Sequence, residues 1–117
     1  MRLLFVVLLV PALAACHHGG APSADATREV VRHYFQWAEA GDCAQLQRIM
    51  SVPDDCENIV RQFRETKTHL VSIDEITPDG RDAAAMLVHT TVAFGKKSDH
   101  KWIVRAARAG GGWRLRL

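Results

Sequence analysis

The apolar residues of this chain change their spacing once, near Thr66, and this change restricts the folds that the chain can adopt. Before Thr66 apolar side chains recur every three or four residues, as in amphipathic helices, and after it they alternate with polar ones, as in half-buried strands. Helices that precede a run of strands are typical of α+β domains, in which helices cover one face of an antiparallel sheet. We therefore predict N-terminal helices packed on a C-terminal antiparallel four-stranded meander.

Three helices are predicted before the change. They cover residues 25 or 26 to 40, 43–50 and 56–65. Asp25 and Asp42 are placed to cap the first two, because a short carboxylate accepts hydrogen bonds from the free N–H groups of a first turn. Gly41 is predicted to end the first helix, since glycine readily takes the left-handed conformation found at that position. The first helix carries one apolar stripe, formed by Val30, Val31, Tyr34, Phe35, Trp37 and Ala38.

Four strands are predicted after the change. They cover residues 67–76, 82–94, 100–109 and 113–117, with turns at 77–80, 95–99 and 110–112. In the first strand His69, Val71 and Ile73 are predicted to share one side. The second strand separates an apolar side from a more polar one; the apolar side holds Ala84, Met86, Val88, Thr90, Val92 and Phe94, and the other holds Leu87, His89 and Thr91.

The first sixteen residues have the layout of an export signal. Arg2 is positive, residues 3–9 are almost purely apolar, and Ala14 and Ala15 are small, as a cleavage site requires. The apolar run is far shorter than the ~20 residues that cross a bilayer as a helix. The signal ends in Leu-Ala-Ala-Cys at residues 13–16, which resembles the lipobox of bacterial lipoproteins.

The lipobox resemblance implies cleavage before Cys16 and attachment of acyl chains, such as palmitate, to the new N-terminus. Residues 1–15 would then be the lipoprotein signal peptide, and residues 16–24 the lipidated cysteine with a flexible tether. Because His17 stands where an inner-membrane retention signal has Asp, the resemblance implies the periplasmic face of the outer membrane. The alternative is an ordinary secretory signal in which Cys16 has no role.

Removing residues 1–15 of the 117 leaves 102 residues, enough for one domain, which we place at residues 25–117. The signal takes one of the 15 Lys and Arg residues, so 14 basic residues face 13 acidic ones and the net charge is +1. This small net charge does not indicate a nucleic-acid-binding surface. We predict no nucleic-acid partner, no metal and no cofactor.

The chain has three cysteines. If Cys16 carries lipid, Cys43 and Cys56 remain, and in an oxidising periplasm we expect them to form a disulfide. The alternative is two separately buried thiols. A metal site on this pair is less favoured, because no histidine or second cysteine pair stands at ligand spacing.

Three features carry a resemblance to the nuclear-transport-factor-two-like superfamily. They are the aromatic first helix running into Ala-Gly-Asp at residues 40–42, the short helix with Leu46, and the closing Gly-Trp-Arg-Leu at residues 112–115. The chain is similar, more narrowly, to small lipoproteins of unknown function with a lumazine-binding-like version of this fold. The resemblance implies a cone, in which a curved sheet wraps the first helix. Two features depart from it: all helices precede the sheet, and the chain is short.

Enzymes of this superfamily use acid–base pairs inside the cone, so the resemblance makes Tyr34, Trp37, His69 and Trp102 candidate pocket residues. His69 would be a base and Tyr34 a proton donor, although a packing role for Tyr34 is simpler. We expect a non-catalytic, lipid-anchored domain that binds a small apolar ligand or a protein partner through the cone mouth or the sheet face. The alternatives are a small hydrolase, dehydratase or isomerase of the same fold, and an inhibitor or immunity lipoprotein.

Overall fold

The computed structural model describes residues 21–117 and confirms the α+β architecture. Its elements are α1 (Ala24–Ala40), α2 (Cys43–Leu46), α3 (Cys56–Thr66), β1 (Thr68–Pro78), β2 (Ala85–Phe94), β3 (Lys97–Ala109) and β4 (Gly112–Arg116). A 3₁₀ turn, Pro53–Asp55, precedes α3. The predicted signal peptide, Cys16 and residues 17–20 of the tether lie outside the described residues.

The first helix begins slightly earlier than the sequence indicates. Ser23, not Asp25, is its cap: the Ser23 hydroxyl accepts a hydrogen bond from the Ala26 N–H at 3.1 Å. Asp25 lies in the first turn, where its charge favours the positive end of the helix dipole. Gly41 ends the helix as predicted, with a φ of 71°.

The second helix is shorter than predicted and ends at Leu46 instead of residue 50. Residues 49–51 form backbone hydrogen bonds with β4 instead. The Leu115 N–H donates to the Ile49 carbonyl at 2.7 Å, and the Ser51 N–H donates to the Leu115 carbonyl at 2.9 Å. A backbone committed to this parallel bridge cannot continue the helix. Asp42 caps α2 as predicted by accepting from the Gln45 N–H at 3.2 Å.

Cys43 and Cys56 form the predicted disulfide, with their Cα atoms 5.9 Å apart. Cys43 is the first residue of α2 and Cys56 the first of α3. The bond therefore joins the starts of these two helices.

The four strands form one antiparallel sheet in the order β1-β2-β3-β4. The register places Val88 opposite Val104, and Ala106 opposite Leu115, with all four side chains buried beneath the helices. The predicted apolar side of the second strand is thus confirmed as the core side. We call the other surface of the sheet, which is turned away from the helices, the open face.

The side assignment in the first strand is wrong. Leu70, Ile73 and Ile76 pack on the core, whereas Val71 is 49% exposed. The cause is a pair of register shifts in β1, one after Leu70 and one after Ile73, each of which breaks strict alternation.

Two predicted turns also move. β1 continues to Pro78, so the first turn spans residues 79–84 and β2 begins at Ala85 instead of residue 82. β3 begins at Lys97 instead of residue 100, which shortens the predicted loop of residues 95–99 to Gly95 and Lys96. Gly95 has a φ of 60°, a conformation that favours glycine.

Candidate functional site

The space between α1 and the sheet is filled by aromatic side chains. The Trp102 ring lies 5.3 Å from the Phe94 ring and 6.3 Å from the rings of Phe35 and Phe63. Phe35 and Phe63 are buried. Trp102 therefore belongs to a packed aromatic cluster.

Trp37 lies on the surface of the helical layer, and His69 lies at the edge of the sheet. Trp37 packs partly on the core, and its ring stacks on that of His33 at 4.9 Å. His69 is exposed at the start of β1, where its Nδ1 lies 2.7 Å from Glu39 Oε1.

Tyr34 lies elsewhere, in a half-open pocket beside Leu115 and Leu117. The structure therefore does not place Tyr34 and His69 in a common cavity within residues 21–117. Burial, with a smaller contribution from the negative charge of Asp55, raises the pKa of Tyr34 to about 12. The phenol is protonated at neutral pH, as an unperturbed tyrosine also is.

The open face carries a groove, which we call the open-face groove. We call its apolar lining residues, Leu87, Ile103 and Leu117, the floor, and its charged lining residues the rim, which consists of Arg81, Arg105, Arg116 and the acidic turn at Asp79 and Asp82. Leu87 lies opposite Arg105, and Arg105 opposite Arg116, so β2, β3 and β4 contribute one row of side chains. Ile103 is 51% exposed.

Exposed apolar side chains concentrate around the end of β4. Of the four large hydrophobic residues exposed in the described range, Ile103 and Leu117 line the open-face groove, and Val52 adjoins Leu117 in the Tyr34 pocket. Single exposed apolar residues are ordinary, but several that converge mark an interaction surface.

Arg105 is neutralised within the fold. Its Nε donates to Asp79 Oδ2 at 3.0 Å and its terminal nitrogen to Asp82 Oδ2 at 2.8 Å. The pKa of Asp79 is held below its usual value by the Arg81 backbone N–H and then by the Arg105 guanidinium. Arg81 and Arg116 form no side-chain ion pair with any residue from 21 to 117, so they leave the rim positive.

A second polar feature of the open face joins three strands. Thr91 donates its hydroxyl hydrogen to Asp74 Oδ2 at 2.6 Å, and Lys101 Nζ donates to the Thr91 hydroxyl at 2.6 Å. Hydrogen bonds from the Ser72 and Thr91 hydroxyls, together with Lys101, lower the pKa of Asp74. This ladder fixes β1 against β2 and β3 and borders the apolar floor.

Sequence reasoning offered the sheet face as a binding surface but did not identify the residues of the open-face groove. The alternation of apolar and polar residues in β2 places Leu87 away from the core side, and the alternation in β3 does the same for Ile103. The sequence therefore indicates that these two residues face away from the core. Arg81 and Leu117 had no such signal, because only the sheet register brings them to these strands.

Two absences hold for residues 21–117. No three His, Cys, Asp or Glu side chains there come together in a group able to hold a metal ion. None of the helices described in that part combines the length and apolar character that a membrane crossing requires.

Comparisons with protein-family models, with curated proteins and with solved structures gave no match to the chain.

Proposed function

We propose that this protein is a lipid-anchored component of the bacterial cell envelope that binds a partner protein, without catalysis, through the open-face groove. The observation that carries the proposal is the apolar floor of Leu87, Ile103 and Leu117, of which the last two are exposed, beside two arginines, Arg81 and Arg116, that form no ion pair with any residue from 21 to 117. An apolar centre with a polar rim is the usual anatomy of a protein–protein interface.

The chemistry of the rim defines the partner. Arg105 is paired with both Asp79 and Asp82, so these three side chains carry a net charge of −1, and Arg81 and Arg116 raise the net side-chain charge of the groove to +1. A matching surface presents aliphatic side chains flanked by carboxylates, since opposite charges steer association and fix orientation. An acidic toxin or cell-wall enzyme that this protein inhibits would be one such partner.

The anchor belongs to the same proposal and rests on the lipobox at residues 13–16. Several acyl chains at Cys16 give stable attachment, where one chain gives only marginal binding. Seven residues separate Cys16 from α1 and span at most about 25 Å. The domain would therefore stay close to the periplasmic face of the outer membrane.

The family assignment is also part of the proposal. An aromatic α1 packed against an antiparallel meander supports a short nuclear-transport-factor-two-like domain, while the position of all helices before the sheet remains a departure from that superfamily. The separation of Tyr34 from His69 and the packed aromatic cluster favour the binding role over the acid–base role for this domain.

Site-specific photo-crosslinking in intact cells tests the groove. A photoreactive residue at Ile103 of the full-length protein is expected to give a discrete cross-linked product, and the same residue at Gln62, exposed on α3, is not. The double charge reversal Arg81→Glu and Arg116→Glu should abolish the product, whereas Arg48→Glu, an exposed change away from the groove, should leave it. The proposal would be refuted if Ile103 and Gln62 gave the same cross-linked product. It would also be refuted if the product at Ile103 persisted after the double charge reversal of Arg81 and Arg116.

A further inference from the structure

Tyr34 carries a hydroxyl that the described protein leaves without a partner. The residue is only 2% exposed, yet its phenol makes no hydrogen bond with any side chain or backbone group from residue 21 to 117. Every fully enclosed polar side-chain atom in that range does have a partner. The Tyr34 hydroxyl must therefore open into the pocket beside it, and buried tyrosine hydroxyls normally find a hydrogen-bond partner.

The pocket beside Tyr34, which we call the Tyr34 pocket, has a volume of about 150 Å³. Its walls are mainly apolar and come from three parts of the fold: Met50 and Val52 before α3, Ile59 on α3, and Leu115 on β4. A cavity of about this volume, lined by apolar side chains, accommodates a molecule as large as benzene.

Two polar residues, Tyr34 and Asp55, line the pocket together with these apolar walls. The Tyr34 phenol, with its pKa raised to about 12, stays protonated and can donate a hydrogen bond. The Asp55 carboxylate lines the same pocket and accepts from Asn58 Nδ2 at 3.3 Å, which leaves it further acceptor capacity. Arg116 lies at the exposed mouth of the pocket.

We propose that the Tyr34 pocket binds a compact apolar molecule that carries one hydroxyl group, of about the size of phenol. The ligand oxygen accepts from the Tyr34 hydroxyl, the ligand O–H donates to Asp55, and the apolar body contacts Met50, Ile59 and Leu115. This site has a role separate from the partner binding of the open-face groove, although Ser51, Arg116 and Leu117 border both.

Paired titrations with phenol and benzene test the proposal on the full-length protein. Binding is followed by NMR through the methyl signals of Met50 and Leu115. Phenol is expected to bind the wild type about fiftyfold more tightly than benzene, because a neutral hydrogen bond with Tyr34 typically contributes about fivefold and one to the charged Asp55 at least about tenfold. Tyr34→Phe keeps the ring and should reduce the preference about fivefold, while Val71→Ala, an exposed change on β1, should leave it unchanged.

Equal affinity for phenol and benzene, or a preference that is undiminished in Tyr34→Phe, would overturn the proposal, and so would methyl signals that fail to shift at millimolar phenol. A second measurement does not depend on ligand. Tyr34 is the single tyrosine of the chain, so the absorbance of tyrosinate reports its ionisation directly. Asp55→Asn should lower the pKa of Tyr34 from about 12, and an unchanged pKa would show that Asp55 does not face the phenol.

Discussion

Reduction of the Cys43–Cys56 disulfide is expected to remove a large part of the stability of this domain. The two cysteines are 13 residues apart in the chain, and the bond joins the starts of α2 and α3. Cys56 is buried, and reduction leaves both sulfur atoms in place, so the packing of the folded state changes little. The main effect of reduction is therefore on the unfolded chain, which gains conformational freedom.

The size of the effect follows from the length of the closed loop. In the chain-entropy model a loop of this length contributes about 3 kcal/mol at 25 °C. A change of 1 kcal/mol shifts the melting temperature of a domain of 60–100 residues by roughly 4–8 °C. We therefore expect reduction to lower the melting temperature by about 12–24 °C.

Thermal melts followed by circular dichroism, with and without a non-thiol reductant, measure this shift. The matched control is Cys43→Ala combined with Cys56→Ala, which should melt near the reduced wild type and respond to reductant by less than about 2 °C. A wild-type shift below about 4 °C would refute the reasoning, since loop closure would then contribute little to stability.

Three further predictions concern the core, the turn and the anchor. Phe35→Ala should destabilise the domain by about 3–5 kcal/mol in urea unfolding, because it empties a buried aromatic position, whereas Val71→Ala at the surface should change stability by less than about 0.5 kcal/mol. Near-wild-type stability of Phe35→Ala would contradict the packed interior. The pKa of Asp79 is lowered in the fold, so its stabilising contribution is present above about pH 4 and lost as the pH falls through the folded pKa. Arg105→Met should make stability fall less steeply below pH 4, and an unchanged pH profile would refute that role. Cys16→Ser should abolish labelling by radioactive palmitate and leave the protein unprocessed or soluble, and normal membrane fractionation of the processed protein would refute the lipobox interpretation.

Local sequence signals predicted most of the elements. The spacing of apolar residues distinguished helices from strands, and Gly41 and Asp42 marked the junction of α1 and α2 correctly. The errors have non-local causes. The end of α2 depends on the bridge between Met50 and Leu115, which join only after the sheet has formed.

The same distinction applies to the candidate sites. The pairing of Cys43 with Cys56 followed from cysteine counting, and the exposed side of Leu87 followed from strand alternation. Tyr34 was a candidate pocket residue, but its neighbours Asp55 and Leu115 are distant in sequence and had no recognisable pattern. Side chains that meet only through tertiary packing leave no periodic signal.

The affinity of the cross-linked partner for purified protein tests the central claim most directly. Isothermal titration at low salt should show binding that weakens with added salt, because charges on the rim contribute to it. Ile103→Asp should raise the dissociation constant at least tenfold, about 1.4 kcal/mol, while Gln62→Asp on α3 should leave it unchanged. Equal affinity of the Ile103→Asp variant and the wild type would contradict the assignment of the open-face groove as the binding surface.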